Sequence, residues 1–379
     1  MTFTVTVSPA ERSFAVERDE PILVAAIRQG VGLPYGCRDG ACGSCKSKLL
    51  SGRVIHGAHQ AKALSADEEA GGLILTCCAT PQTDCTVLAR SVPGAGEHPI
   101  LKMPSRVLEL QRLTIDVMQI KLQLPANQNL QYRPGQYVEF ILRDGHRRSY
   151  SMANAPHSLG TPPAIELHIR HMPGGLFTDH VFGSLKDKDI LRLEGPFGSF
   201  FLRDDSTKPM VLMASGTGFA PIKAIIEQMH ETWQNKGISR PATLYWGGRR
   251  PHDLYLHRWC ETMAALLPQL RYVPVVSDAL IEDTWAGRTG FVHRAVMEDF
   301  PDLSAHQVYA CGAPIMVDSA QRDFVALCGL PSDEFFADAF TSEADKHGER
   351  QGADQGLVPS VPTHRTEGAR ALETFNPSS

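Results

Sequence analysis

Polar and apolar side chains alternate through residues 2–7, the period of a strand with one buried face. Residues 13–16 repeat the pattern after a short polar gap and predict the other arm of a hairpin. Residues 21–28 turn apolar behind Glu20, which predicts a helix with Pro21 in its first turn and an acid at its positive end. Gly30 and Gly32 end it. Ser65 and Glu68 have the spacing of a capping box, so a short helix follows, and residues 73–75 and 86–88 read as strands. A different rhythm runs from 103 to 203. Residues 106–110, 116–124, 136–142 and 164–170 are short alternating or apolar runs between turns, the pattern of a small antiparallel barrel. A third begins at 209–214, a buried strand followed by a glycine turn and a helix from Pro221 to about Trp233. Strands at 242–246, 271–276 and 307–310 alternate with helical stretches, which predicts a parallel sheet.

These shifts divide the chain into 1–91, a linker at 92–102, 103–206, 207–341 and a tail at 342–379. The Pro- and Gly-rich stretch 91–99 predicts a flexible joint and a mobile N-terminal domain. The tail has few large apolar side chains and is expected to be disordered. No repeat is evident.

Composition removes several classes. The 379 residues are 42% hydrophobic and 21% charged, as in ordinary globular proteins. A net charge of −5 and a pI near 6.3 argue against nucleic acid as a partner. No apolar run reaches membrane-spanning length, and the N-terminus lacks the basic and apolar regions of a secretory signal. Nine cysteines without a disulfide framework fit a reducing compartment, so a cytoplasmic enzyme is expected.

Several stretches carry candidate chemistry. Cys37, Cys42 and Cys45 form a Cys-x4-Cys-x2-Cys run, and Cys77 and Cys78 follow at a distance. This is the plant-type spacing for a [2Fe–2S] cluster. Gly40, Ala41, Gly43 and Ser44 leave the backbone free to aim N–H groups at sulfur. Disulfides or zinc are the competing readings, although zinc sites more often bring two Cys-x2-Cys pairs. In the second stretch, Arg148, Ser149, Tyr150 and Ser151 place a cation, a flat ring and hydroxyls within four residues, the groups a dinucleotide flavin needs. Gly174 and Gly175 precede a helix with Thr178 in its first turn, a candidate anion site. In the third, Gly216, Thr217 and Gly218 join a buried strand to a helix, the context of a dinucleotide pyrophosphate turn. In the fourth, Arg249 and Arg250 follow the next strand. They suit a 2′-phosphate, yet NADH is preferred over NADPH as the donor.

The loop at 35–45, with Leu75-Thr76-Cys77, closely resembles plant-type ferredoxin domains, and the β-grasp order of residues 1–91 is similar throughout. The resemblance implies Cys37, Cys42, Cys45 and Cys77 as ligands, with Cys78 and Cys85 as packed neighbours. Nine acidic and nine basic side chains in 1–91 leave it without the acidic field of photosynthetic ferredoxins. Arg148–Ser151 resembles the Arg-x-Tyr-Ser signature of the ferredoxin–NADP⁺ reductase superfamily, and Pro134-Gly135-Gln136-Tyr137 and Gly195-Pro196-Phe197-Gly198 match its turns. The implied roles are Arg148 on phosphate, Tyr150 along the isoalloxazine, Ser151 near N5, and the Gly174–Gly175 turn with Thr178 at the pyrophosphate. Cys311, Gly312, Pro314 and Met316 resemble that family's Cys-Gly-x-Pro-x-Met, with the cysteine near the nicotinamide–flavin contact. Residues 336–340 resemble its last strand, which makes Asp338 an acid near the hydride path and Phe340 either a flavin lid or a core residue.

The ferredoxin-first order resembles the reductase components of benzoate and toluene/phenol oxygenases. It equally resembles the CDP-6-deoxy-Δ3,4-glucoseen reductases of sugar biosynthesis. That implies a multidomain α+β chain: a β-grasp [2Fe–2S] domain, an antiparallel FAD barrel and an α/β nucleotide-binding domain. It also implies a monomeric NAD(P)H-dependent oxidoreductase using FAD, with Ser151, Cys311 and Asp338 at the chemistry. The expected acceptor is a protein, first an oxygenase component and second a sugar dehydratase. A redox sensor without turnover is the reading from another class.

Overall fold

A computed structural model describes residues 1–341 and, beyond them, the backbone of 350–351 and 357–359. The N-terminal unit is a five-stranded sheet in the spatial order Arg12–Glu17, Thr2–Ser8, Cys85–Leu88, Lys46–Ser51, Leu73–Leu75. Its alternation is the expected one: Val5 and Val7 are buried with Phe14 and Val16 of the hairpin partner. Helix Ile22–Arg28 covers the sheet, and Arg28 reaches back to Glu20 at 2.7 Å. The capping box forms, with Ser65 Oγ accepting from the Glu68 N–H and the Glu68 carboxylate accepting from the Ser65 N–H.

The middle unit is a six-stranded antiparallel sheet in the order Arg147–Ser151, Tyr137–Ile141, Ile190–Phe197, Leu101–Arg112, Val117–Gln123, Ala164–Arg170. A bridge between Met152 and Leu167 joins its two edges and closes the barrel. The third unit is a parallel sheet in the order Arg288–Thr289, Leu270–Val276, Ala242–Gly248, Met210–Ser215, Gln307–Gly312, Phe335–Ala339. Order reverses beside Met210–Ser215, the place where such sheets bind ligands.

Three features differ from expectation. Residues 91–99 are not a free joint. Val92 and Ala95 are buried against Phe201, the Val92 N–H donates to Gly32 O, and Glu97 pairs with Arg133 at 2.8 Å. The linker also ends early, since the barrel's first strand starts at Leu101. Most of the tail lies outside the described residues. Within it, Arg350–Gln351 pairs with His59–Gln60 and Leu357–Pro359 with Arg53–His56, a departure from the disorder expected of 342–379.

A buried polar cluster joins barrel to nucleotide domain. Lys223 lies 3.2 Å from Glu166 and 2.5 Å from Glu227, and donates to Ala153 O. His168 is buried. Burial holds its ring neutral, so Nε2–H donates to Glu166 while Nδ1 accepts from the Tyr255 hydroxyl. Burial alone would raise the Glu166 carboxyl. The His168 hydrogen bond and the Lys223 charge outweigh it and hold the group at about 2. A carboxyl lowered by folding stabilises fully above its ordinary value and loses that contribution as pH falls towards the lowered one. Glu166→Gln is therefore expected to remove about 3 kcal/mol of pH-dependent stability between about pH 5 and pH 2. Urea unfolding across that range checks it, and parallel profiles for the two proteins would count against it.

Candidate active site

Four thiols meet at one end of the β-grasp unit as two pairs. Cys45 Sγ and Cys77 Sγ are 3.3 Å apart, and Cys37 and Cys42 form the second pair. The small-residue loop turns its backbone onto the sulfurs, with the Ala41 and Cys42 N–H groups donating to Cys37 Sγ and the Cys37 N–H to Cys42 Sγ. The Cys37 thiol above all, with the Cys37 N–H and Ser44, pulls Cys42 down to about 6 against its burial. Cys78 packs beside these four thiols, its sulfur 3.5 Å from Cys77 and its thiol directed at Ala58 O, and Cys85 is in the core. All nine cysteines are free. Among the described residues no three His, Cys, Asp or Glu side chains close on one point, as a single zinc would require. Two thiol pairs with N–H groups aimed at sulfur fit a two-iron cluster.

On the barrel, Arg148 and Tyr150 share one face of Arg147–Ser151 and Ser149 and Ser151 the other. Tyr150 packs against Phe140 and Phe177, with ring centroids 5.8 and 5.5 Å away, and Ser149 is exposed opposite Glu139. Gly174 and Gly175 open helix Leu176–Gly183. The Thr178 hydroxyl, expected at a pyrophosphate, is occupied within the turn: it donates to Met172 O and accepts from the Met172 N–H. The Gly174 N–H likewise donates to Asp179.

In the nucleotide domain, Gly216, Thr217 and Gly218 form a 3-10 turn between Met210–Ser215 and helix Phe219–Lys236. A side chain at Gly218 would stand 2.3 Å from Cys311 O, so the residue permits close contact of two strand ends. Cys311 is fully buried, and burial and then the Asp338 charge push its thiol up. After Gly312, Pro314 opens helix Pro314–Leu327 and Met316 packs into the core beneath. Arg249 is exposed, whereas Arg250 lies 3.4 Å from Asp283. Phe340 is half-buried against the domain core, and its N–H donates to Gly312 O.

The three units meet at Asp338. It sits across from Cys311 in the sheet register and shares a hydrogen bond with Ser151. A side chain at Gly36 of the cluster loop would come within 3.7 Å of its Oδ1. Burial raises its carboxyl to about 7, with Cys42 adding to the rise and Ser151 opposing it. The sequence reading missed the residues that bring the loop here. Tyr137 donates to Gly36 O at 2.7 Å, Gly198 N–H donates to the Tyr35 hydroxyl, and Arg38 lies 3.3 Å from Glu139. The only signal was that Tyr35 and Arg38 belong to the cysteine loop and Tyr137 and Gly198 to barrel turns.

Fold and site together define an iron–sulfur flavoprotein reductase of the ferredoxin-reductase type. Residues 5–82 match the 2Fe-2S iron-sulfur cluster binding domain, 104–202 the oxidoreductase FAD-binding domain and 212–322 the oxidoreductase NAD-binding domain. The CDP-6-deoxy-L-threo-D-glycero-4-hexulose-3-dehydrase reductase of Yersinia pestis is 39% identical over 343 residues, covering 90% of this chain and 99% of that one. Terephthalate 1,2-dioxygenase reductase component 2 of Comamonas sp. is 33% identical over 351 residues, 92% and 100% of the two chains. The crystal structure of the Amycolatopsis cytochrome P450 reductase GcoB superposes with a TM-score of 0.73 at 35% identity, over 90% of this chain and 99% of that one. The chain belongs to the family of ferredoxin-first [2Fe–2S]/FAD/NAD(P)H reductases. It is an NAD(P)H-dependent oxidoreductase that uses all three groups. Among the described residues no helix is long and apolar enough to cross a membrane.

Proposed function

We propose that this reductase draws hydride from NADH and delivers single electrons to the oxygenase component of a multicomponent system. The observation that carries the reading is the meeting of Ser151, Cys311 and the Gly36–Cys42 loop around Asp338. FAD accepts two electrons together and releases them singly, which suits it to stand between a nicotinamide and a [2Fe–2S] cluster. Cys37 and Cys42 hold one iron, and Cys45 and Cys77 the other. Arg148 meets flavin phosphate, Tyr150 lies along the ring, and Ser151 and Asp338 share the proton beside its reactive edge. Gly216, Thr217 and Gly218 admit the nicotinamide pyrophosphate, and Cys311 and Gly312 bring the nicotinamide towards the barrel. The turn at Gly174–Gly175 shapes the phosphate end, and Thr178 holds that turn rather than the ligand. Phe340 closes the far side from its seat on the core. Asp283 engages Arg250, which favours NADH over a donor with a 2′-phosphate. The unpaired thiols suit the cytoplasm.

Stopped-flow mixing of the holoprotein with NADH should bleach flavin first and cluster second, with cytochrome c reduced in steady state. A cluster that stays oxidised while the flavin bleaches would overturn the electron route, and negligible turnover would favour a sensor. The 39% identity to the Yersinia pestis enzyme supports a second reading, a sugar dehydrase as acceptor. Deleting the gene in its source organism should abolish growth on an aromatic carbon source and leave surface-polysaccharide sugars unchanged. The reverse pattern would transfer the assignment to the dehydrase.

A further inference from the structure

We infer that Arg38, Tyr137 and Glu139 are positioning residues that hold the cluster loop on the barrel and thereby set the rate of electron passage from flavin to cluster. The inference rests on the electron route proposed above. In that step one electron leaves the reduced flavin and enters the oxidised cluster, and no bond forms or breaks.

The grip is local to one ligand. Gly36 and Arg38 bracket Cys37, and strand Tyr137–Ile141 holds both. The Tyr137 hydroxyl donates to Gly36 O at 2.7 Å in a buried contact. Two residues on, and so on the same face of the strand, Glu139 lies 3.3 Å from Arg38 Nη1. The Arg38 guanidinium also rests 4.1 Å over the Phe197 ring. The turn after Phe197 adds backbone contacts, with Gly198 N–H donating to the Tyr35 hydroxyl and Tyr35 N–H donating to Ser199 Oγ.

The gripping strand is the neighbour of the one that carries the flavin-side residues. Tyr137 stands opposite Ser151 and Glu139 opposite Ser149 in the ladder. A displacement of the cluster loop is thus measured against the strand bearing Ser151, with no flexible segment between. Small losses of geometry at such a junction have large kinetic effects.

Glu139 is also held by Arg147 at 2.9 Å, so it keeps a partner when Arg38 is substituted. Arg38 Nη1 is buried and makes no hydrogen bond, so its attraction to Glu139 is charge alone, and its stacking on Phe197 orients the guanidinium. A buried pair of this kind adds little net stability.

The test is the holoprotein carrying Arg38→Gln with Tyr137→Phe, changes that remove the charge and the hydroxyl of the grip and avoid the residues assigned to cofactors. NADH should bleach its flavin within about twofold of the wild-type rate, because hydride arrives from the nucleotide domain. The cluster phase should slow by about tenfold, the effect of ~1.4 kcal/mol of lost docking. Amide exchange of residues 35–38 and 197–199 should quicken. Tyr137→Phe alone, made in the barrel, serves should Arg38→Gln lower the cluster EPR signal. An unchanged cluster phase overturns the inference. A wild-type flavin that NADH does not bleach is instead a failure of the proposed route. The dock then rests on exchange alone, and unprotected amides at 35–38 in the wild type overturn it.

Discussion

Cys45→Ser is expected to uncouple the two halves of turnover: NADH still bleaches the flavin, and cytochrome c reduction falls by roughly two orders of magnitude or more. Cys45 is buried and pairs with Cys77 at 3.3 Å, so on the proposed ligation its loss would leave one iron with a single thiolate from its pair. The flavin site draws no residue from the cluster loop, so the first phase has no reason to change. Cys78→Ser is the matched control. Its sulfur lies 3.5 Å from that of Cys77, against 3.3 Å for Cys45, yet its thiol is directed at Ala58 O. It should keep the cluster spectrum and stay within about twofold in rate. A protein that holds its cluster after Cys77→Ser and loses it after Cys78→Ser would reverse the assignment.

Gly218→Ala is expected to damage the nucleotide domain itself. Its new Cβ would stand 2.3 Å from Cys311 O, 2.5 Å from Cys311 C and 2.6 Å from Gly312 Cα. All three are backbone atoms, so no rotamer change relieves the contact. Overpacking of this kind costs about 1–3 kcal/mol, and here the relief requires two strand ends to part. Those ends carry Cys311 and the turn at Gly216–Gly218, so the apparent KM for NADH should rise along with the loss of stability. Calorimetry and NADH titration check both. An alanine variant that melts and binds NADH like the wild type would show that the backbone yields at little cost.

The three architectures were legible because each has its own hydrophobic rhythm. Alternation at 2–7, the short runs at 106–142 and the buried strand at 209–214 all became the expected elements. The cysteine loop was legible because ligands close in sequence impose spacing. The interfaces were not. His168 carries no mark that separates a surface histidine from one buried beside Glu166 and Tyr255. Residues 91–99 have a linker's composition, and only the presence of Phe201 turns Val92 and Ala95 into core. Thr178 shows the same limit: its bond to Met172 O depends on where that carbonyl falls, which spacing does not reveal.

The seating of Val92 and Ala95 on Phe201 shortens the leash between the two electron carriers. Ala89 is itself tied to Ser8 and Val92 to Gly32, while Glu97 pairs with Arg133, so the segment is fastened to the cluster unit at one end and to the barrel at the other. A cluster held on the same frame as the flavin receives its electron within one molecule, at a rate independent of enzyme concentration. An acceptor arriving from solution therefore meets a cluster that is refilled in place.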